Sequence, residues 1–246
     1  MRATLLLFAG ALAACTLVAA PRNITLAVAT DLAPWARTHQ RDLALALGGP
    51  VSIVAGPSGQ LATQLLAGAP FDLLLAADRA TLDRLVTDPR CVSGSLRSFA
   101  TGHLGIALAG HLGGEPSPAT LASPAVSTIA IANPEHAPYG RLARTYLASL
   151  PQGPELLSKL VIAASAADAA AWVDRGAADA AVTAWSLLRM QTGSRHAEVN
   201  AAATILPASG IVCGPDAPSL SPRWQALTAA PWFRESLAAA GFGPPP

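Results

Sequence analysis

The sequence predicts an α/β protein built as two lobes, each a mostly parallel sheet flanked by helices. Its 246 residues suit two lobes of about 100 residues each better than one oversized core. Short, nearly continuous apolar runs alternate with helical stretches, the pattern of strands covered on both faces. The 20 Gly and 21 Pro supply the turns that such an alternation needs. With 52% hydrophobic and 13% charged residues, the chain is too apolar to be disordered. Its formal charge of +1 comes from scattered arginines and a single lysine, Lys159. No basic stripe exists to neutralise phosphates, which argues against a nucleic-acid partner.

Residues 1–20 read as an export signal. Arg2 precedes an apolar run from Ala3 to Ala14 that is too short to span a bilayer. The run ends Leu12-Ala13-Ala14-Cys15, which resembles a bacterial lipobox and would place a lipid anchor on Cys15. An ordinary signal cut after Ala11-Leu12-Ala13 fits the same residues. No later segment has 18 uncharged apolar residues, so the exported chain is expected in the periplasm. Cys91 and Cys213 would then sit in an oxidising compartment, either paired or as two buried thiols.

The first strand is Asn23–Ala29 (NITLAVA), and Thr30-Asp31 is a helix-start signal for a helix over Leu32–Leu47. Val51–Ala55 is a second strand. Gly56-Pro57-Ser58-Gly59 makes a turn into a helix over Gln60–Ala67, stopped by Gly68-Ala69-Pro70. Phe71–Ala76 is a third strand, and Asp78 opens a helix carrying Leu82 and Leu85. Leu104–Ala109 begins the second lobe, followed by a Gly/Pro/Ser-rich connection over Gly113–Pro124. Thr128–Ala132 is a strand, Asn133–Tyr139 a loop, and Gly140–Leu150 a helix with Leu142, Tyr146 and Leu150 on one face. Leu160–Ala163 is a strand. Ser165 caps a helix over Ala166–Arg175, Gly176 stops it, and Ala180–Ala184 is a further strand. Ile211–Cys213 is one more short strand. Arg223–Ala240 forms terminal helices broken at Pro231 and closed by Gly241. The last forty or so residues hold no complete βαβ unit and must pack back on an existing lobe, most simply the first. The expected division is residues 21–101 plus 206–246 for lobe 1 and 102–205 for lobe 2.

Four strand-to-helix junctions stand out: Ala29-Thr30-Asp31, Gly56-Pro57-Ser58-Gly59, Pro138-Tyr139-Gly140 and Ser165-Ala166-Ala167. In open α/β sheets such junctions line the ligand crevice. Each puts free backbone N–H groups, and usually a hydroxyl, at a helix start, where the dipole favours an anion. Converging on one cleft, they would hold a small oxyanion without Lys or Arg.

Three segments carry a family resemblance. Gly56–Asp78 (GPSGQLATQLLAGAPFDLLLAAD), Ile129–Gly140 (IAIANPEHAPYG) and Val173–Ala180 (VDRGAADA) resemble, in order and spacing, signature segments of the periplasmic molybdate-binding proteins of ABC transporters. The likeness runs over roughly residues 23–245. It implies a type II periplasmic binding protein fold with two chain crossings, a hinge and a ligand cleft between the lobes. It implies a monomeric receptor that binds molybdate or tungstate and delivers it to a membrane permease. No cofactor and no catalysis are implied, and molybdenum enters only as the bound oxyanion. The ligand-binding positions fall on Thr30, Asp31, Ser58, Tyr139 and Ala166. Thr30 and Ser58 would each offer a hydroxyl and an N–H; Tyr139 and Ala166 would offer N–H donors from the second lobe.

Two positions depart from the family. Asp31 stands where many members carry Ser or Asn. A carboxylate about 4 Å from a unit negative charge costs roughly 4 kcal/mol at an effective dielectric near 20, and a dianion doubles that. Asp31 must therefore cap its own helix and offer only its N–H, or be protonated, or face a ligand that is not a dianion. The last case makes a same-fold receptor for a different small solute the alternative function. Near Ala184-Trp185 some members place a Tyr hydroxyl; here Ser186 could substitute. Enzyme chemistry has little support. Gly56-Pro57-Ser58-Gly59 is not a G-x-S-x-G elbow, Glu135-His136 lacks a second His at ligand spacing, and His39, His103, His111 and His196 form no cluster.

Overall fold

A computed structural model describes residues 22–246. The expected export segment, with Cys15, lies outside the described residues. In chain order the first part is β1 (Ile24–Ala29), α1 (Ala33–Thr38), α2 (Gln40–Leu47), β2 (Val51–Gly56), α3 (Ser58–Leu66), β3 (Leu73–Ala76) and α4 (Ala80–Asp83). The middle is β4 (Arg97–Ala109), α5 (Pro118–Ala122), β5 (Ile129–Ala132), α6 (Pro138–Ser149), α7 (Gly153–Ser158), β6 (Leu160–Ala163), α8 (Ala166–Asp174), β7 (Ala180–Ala184), α9 (Trp185–Leu188) and β8 (Ser194–Glu198). The chain closes with β9 (Ile205–Val212), α10 (Ala217–Ala229) and α11 (Pro231–Ala239). Among the described residues no helix is long and apolar enough to cross a membrane.

The strands form two halves of one curled sheet, in the order β2-β1-β3-β9-β4-β7-β5-β6, with β8 on β4. β2, β1 and β3 are parallel, as are β6, β5 and β7. The antiparallel strands are those that join the halves. β9 runs against β3, and β4 runs against β9 from Arg97 to His103. At Leu104 β4 changes partners and continues against β7 and, from Gly105, β8. The inner parallel strands are buried, β3, β5 and β7 throughout and β1 over its last four residues, which explains their unbroken apolar composition; the edge strands β2 and β6 are largely open to solvent.

Several elements differ from expectation. The helix anticipated over Leu32–Leu47 is two, because His39 leaves helical geometry at φ −102°, ψ 20°. The bend lets Trp35 pack edge-on against Phe233, ring centroids 5.3 Å apart, while α2 continues toward Leu47, whose carbonyl accepts a bond from Arg223 at 2.7 Å. β4 starts at Arg97, seven residues before the apolar run that announced it. The Gly/Pro/Ser-rich connection holds α5, capped by Ser117, whose Oγ accepts the Thr120 N–H at 3.2 Å. α7, α9 and β8 were also not expected, β9 begins at Ile205, and α10 begins at Ala217.

The terminal helices pack on the first half. Trp224 is fully buried, meets Phe99 edge-on at 5.6 Å and donates its indole N–H to the Ser95 carbonyl at 3.1 Å. Cys91 and Cys213 are joined by a disulfide. It ties the chain entering β4 to the end of β9, beside the Val92 N–H to Val212 carbonyl bond of 3.0 Å.

Candidate functional site

The carboxyl ends of the parallel strands in both halves lead into the same set of junctions. β1 ends in a tight turn, closed by the Leu32 N–H on the Ala29 carbonyl at 3.0 Å, with Thr30 and Asp31 at its centre. Ser58 is the first residue of α3, not part of the preceding turn, and Pro57 is the capping position. Ser58 Oγ accepts the Ala77 N–H at 3.0 Å. That bond uses one lone pair and leaves the hydroxyl proton free to be donated. Tyr139 is the second residue of α6. Ala166 is the first of α8, whose cap is Ser165, with Oγ accepting the Asp168 N–H at 3.1 Å. The N–H groups of Ser58, Tyr139 and Ala166 lie in first helical turns, where the helix offers them no carbonyl.

Three contacts join the halves at this point. The Gly59 N–H donates to the His136 carbonyl at 2.9 Å. Arg141 donates to Asp78 at 3.0 Å, and Ser186 Oγ donates to the Asp31 carbonyl at 3.4 Å. Gly59 has to be glycine: a Cβ there would stand 2.7 Å from the His136 carbonyl oxygen. Gly102, on the crossing strand β4, has the same role for Tyr139, whose hydroxyl oxygen would lie 2.1 Å from an added Cβ.

Asp31 and Tyr139 are both buried, at 3% and 2% exposure. By strict geometry neither Asp31 Oδ2 nor the Tyr139 hydroxyl has a hydrogen-bond partner, yet the two groups are close enough for each to shift the other's titration. Burial pushes the Asp31 carboxyl up to about 7, against the pull of its own N–H, the Tyr139 hydroxyl and the Leu32 N–H. Burial, reinforced by the negative charge of Asp31, holds the Tyr139 phenol well above its ordinary value. The expectation that Asp31 caps its helix is not met: Leu32 is the capping position and no side chain bonds to that helix end.

Of the expected residues, Asp31, Ser58 and Tyr139 are buried and lie at the contacts between the halves. Ala166 is attached through β7, its carbonyl accepting Thr183 Oγ1 at 3.1 Å, three residues before Ser186. Thr30 is half-buried and its side chain bonds to none of these groups. The Asp78–Arg141 pair was not legible in the sequence, since 63 residues separate its members. Among the described residues, no three His, Cys, Asp or Glu side chains are grouped to hold a metal. Hydroxyls and helix N-termini directed from two halves suit a small anion held by dipoles.

The family model for bacterial extracellular solute-binding proteins matches residues 18–242. The chain belongs to that family. It is 38% identical over 133 residues to the molybdate-binding protein ModA of Azotobacter vinelandii, covering 53% of this chain and 52% of that protein. It is 32% identical over 170 residues to the molybdate-binding protein ModA of Rhodobacter capsulatus, covering 69% of this chain and 67% of that one. The chain thus spans about half the length of the Azotobacter relative and two thirds of the Rhodobacter one. The structure is similar to the Azotobacter vinelandii periplasmic molybdate-binding protein, with a TM-score of 0.77 at 21% identity over 91% of this chain and 100% of that one. It also resembles the sulfate-binding protein SubI from Mycobacterium tuberculosis, with a TM-score of 0.71 at 13% identity over 90% and 86% of the two chains. These two likenesses establish the shared fold.

Proposed function

We propose that this protein is the solute-binding component of an ABC importer. It captures molybdate, or tungstate, between its two halves and delivers it to a membrane permease. The observation that carries this reading is the meeting of Ser58, Asp31, Tyr139 and Ser186 at buried contacts between the halves, with the first turns of α3, α6 and α8 opening toward the same junctions. Thr30 and Ser58 each give a hydroxyl and an N–H, and Asp31, Tyr139 and Ala166 give N–H donors. Donors from both halves stabilise the closed form only when an anion bridges them. Residues 21–101 with 206–246 move as one lobe and 102–205 as the other. The protein acts as a periplasmic monomer and catalyses no reaction. The two ModA relatives support the choice of ligand.

A thermal shift series with molybdate, tungstate, sulfate and phosphate tests this. Ligand at 100 times its Kd adds about 2.7 kcal/mol, a rise of roughly 5–10 °C for a chain of this size. Response to molybdate and tungstate but not to sulfate is expected. Silence to all four, with a response to another small solute, would transfer the site to a different ligand, as the acidic Asp31 would then explain.

A further inference from the structure

Asp31 Oδ2 is buried without a hydrogen-bond partner at the meeting point of the two halves. No cation is paired with it among the described residues. The groups that face it are few. From α6 comes the Tyr139 hydroxyl, itself unpartnered. From the turn after β3 comes the charge of Asp78, which Arg141 of α6 partly offsets at 3.0 Å. From α9 comes Ser186, which does not titrate and bonds the Asp31 carbonyl rather than its carboxylate. A deprotonated carboxylate in this position repels an oxyanion. A protonated one donates to it.

We propose that oxyanion binding by this protein takes up one proton from solvent, held between the Asp31 carboxyl group and a ligand oxygen. The inference rests on the receptor function above. The step balances simply: the Asp31 carboxylate and a solvent proton give the carboxylic acid, whose O–H donates to the oxyanion, and no other bond changes. The carboxyl's raised value, about 7, means that near neutral pH the proton is gained at little cost. An anion beside it raises that value further. An uncharged Asn or Ser at this position would bind without the proton, so the residue at position 31 sets the pH range over which this receptor is loaded.

The test is isothermal titration with sodium molybdate between about pH 6 and pH 9, in pairs of buffers that differ in ionisation enthalpy. Molybdate is a dianion throughout this range. For the natural protein, Kd should rise about tenfold per pH unit in the upper half of the range, and the buffer-dependent heats should report uptake of close to one proton. Asp31→Asn should remove both signals and bind more tightly than the natural protein at the alkaline end. Tyr139→Phe, which keeps the backbone N–H, should retain the slope. A flat Kd with no proton uptake in the natural protein overturns the proposal and leaves the receptor function standing. So does a slope that survives Asp31→Asn. Absence of molybdate binding at every pH in all three proteins overturns both.

Discussion

The contact between Gly59 and His136 offers a way to separate closure from folding. Gly59→Ala puts a Cβ 2.7 Å from the His136 carbonyl oxygen and 3.3 Å from its carbon. Both are backbone atoms, so no side-chain rotation relieves the clash. Overpacking of this kind costs about 1–3 kcal/mol. The Gly59 N–H···O bond of 2.9 Å is lost with it, adding about 0.5–1.5 kcal/mol. His136 belongs to the opposite half, so under the proposed closure both terms would fall on the closed form alone and the clash would disappear when the halves part. The affinity for molybdate should therefore fall by about 1.5–4.5 kcal/mol, or roughly 10- to 2,000-fold. The free protein should not lose stability, because Ala in the first turn of α3 is a better helix former than Gly by up to about 1 kcal/mol. Isothermal titration reads the first quantity and calorimetric melting of the free protein the second. A Kd within twofold of the natural protein's would refute the assignment of this contact to the bound form. A lowered melting temperature without ligand would show that the free protein is held closed by itself.

Three further outcomes are expected. Ser58→Ala removes a hydroxyl donor to a charged ligand and should weaken molybdate binding by about 1.5–3 kcal/mol; an unchanged Kd would remove Ser58 from the site. Reducing the Cys91–Cys213 bond, which closes a separation of 122 residues, should cost about 2–5 kcal/mol of stability, and calorimetry with and without reductant should show a lower melting temperature. Folded, Asp31 keeps its proton up to about pH 7, against an ordinary value of 3.8. The folded state therefore binds more protons between those values, and the stability of the free protein falls as pH rises through that window. Melting curves should show Asp31→Asn gaining a few kcal/mol over the natural protein above neutral pH and little near pH 4; equal gains at both ends would place the carboxyl in water.

The sequence made the parallel strands and their following helices legible because burial on both faces leaves an unbroken apolar run, as in Leu73–Ala76 and Ile129–Ala132. The elements it hid are those set by distant partners. The first half of β4 (Arg-Ser-Phe-Ala-Thr-Gly-His) has no strand periodicity, and it is a strand because β9 lies beside it. β8 (Ser-Arg-His-Ala-Glu) is polar because it sits at a solvated edge. At the candidate site, Ser58, Tyr139 and Ala166 were visible as local strand-to-helix junctions. The environment of Asp31 was not. Its carboxyl is governed by burial and by Tyr139, more than a hundred positions away, so a capping role fitted the local residues and failed in the folded chain.

The crossing of β4 and β9 is anchored unequally. On its first-half side the disulfide clamps the flanking chain, and Gly243 grips Thr101 by reciprocal backbone bonds of 2.9 and 2.7 Å. Beyond Gly102 neither fastening acts: the two strands continue as the covalent crossing, and the halves otherwise meet through single contacts such as Arg189 on the Ala239 carbonyl at 3.0 Å. If the halves turn against one another as proposed, the bending would fall on the few peptide units where the chain crosses, around Gly102–Leu104 and Ile205–Pro207. Under the proposed closure, a swing about this crossing would carry His136, Tyr139 and Ser186 together, as one rigid stroke rather than by successive local adjustments.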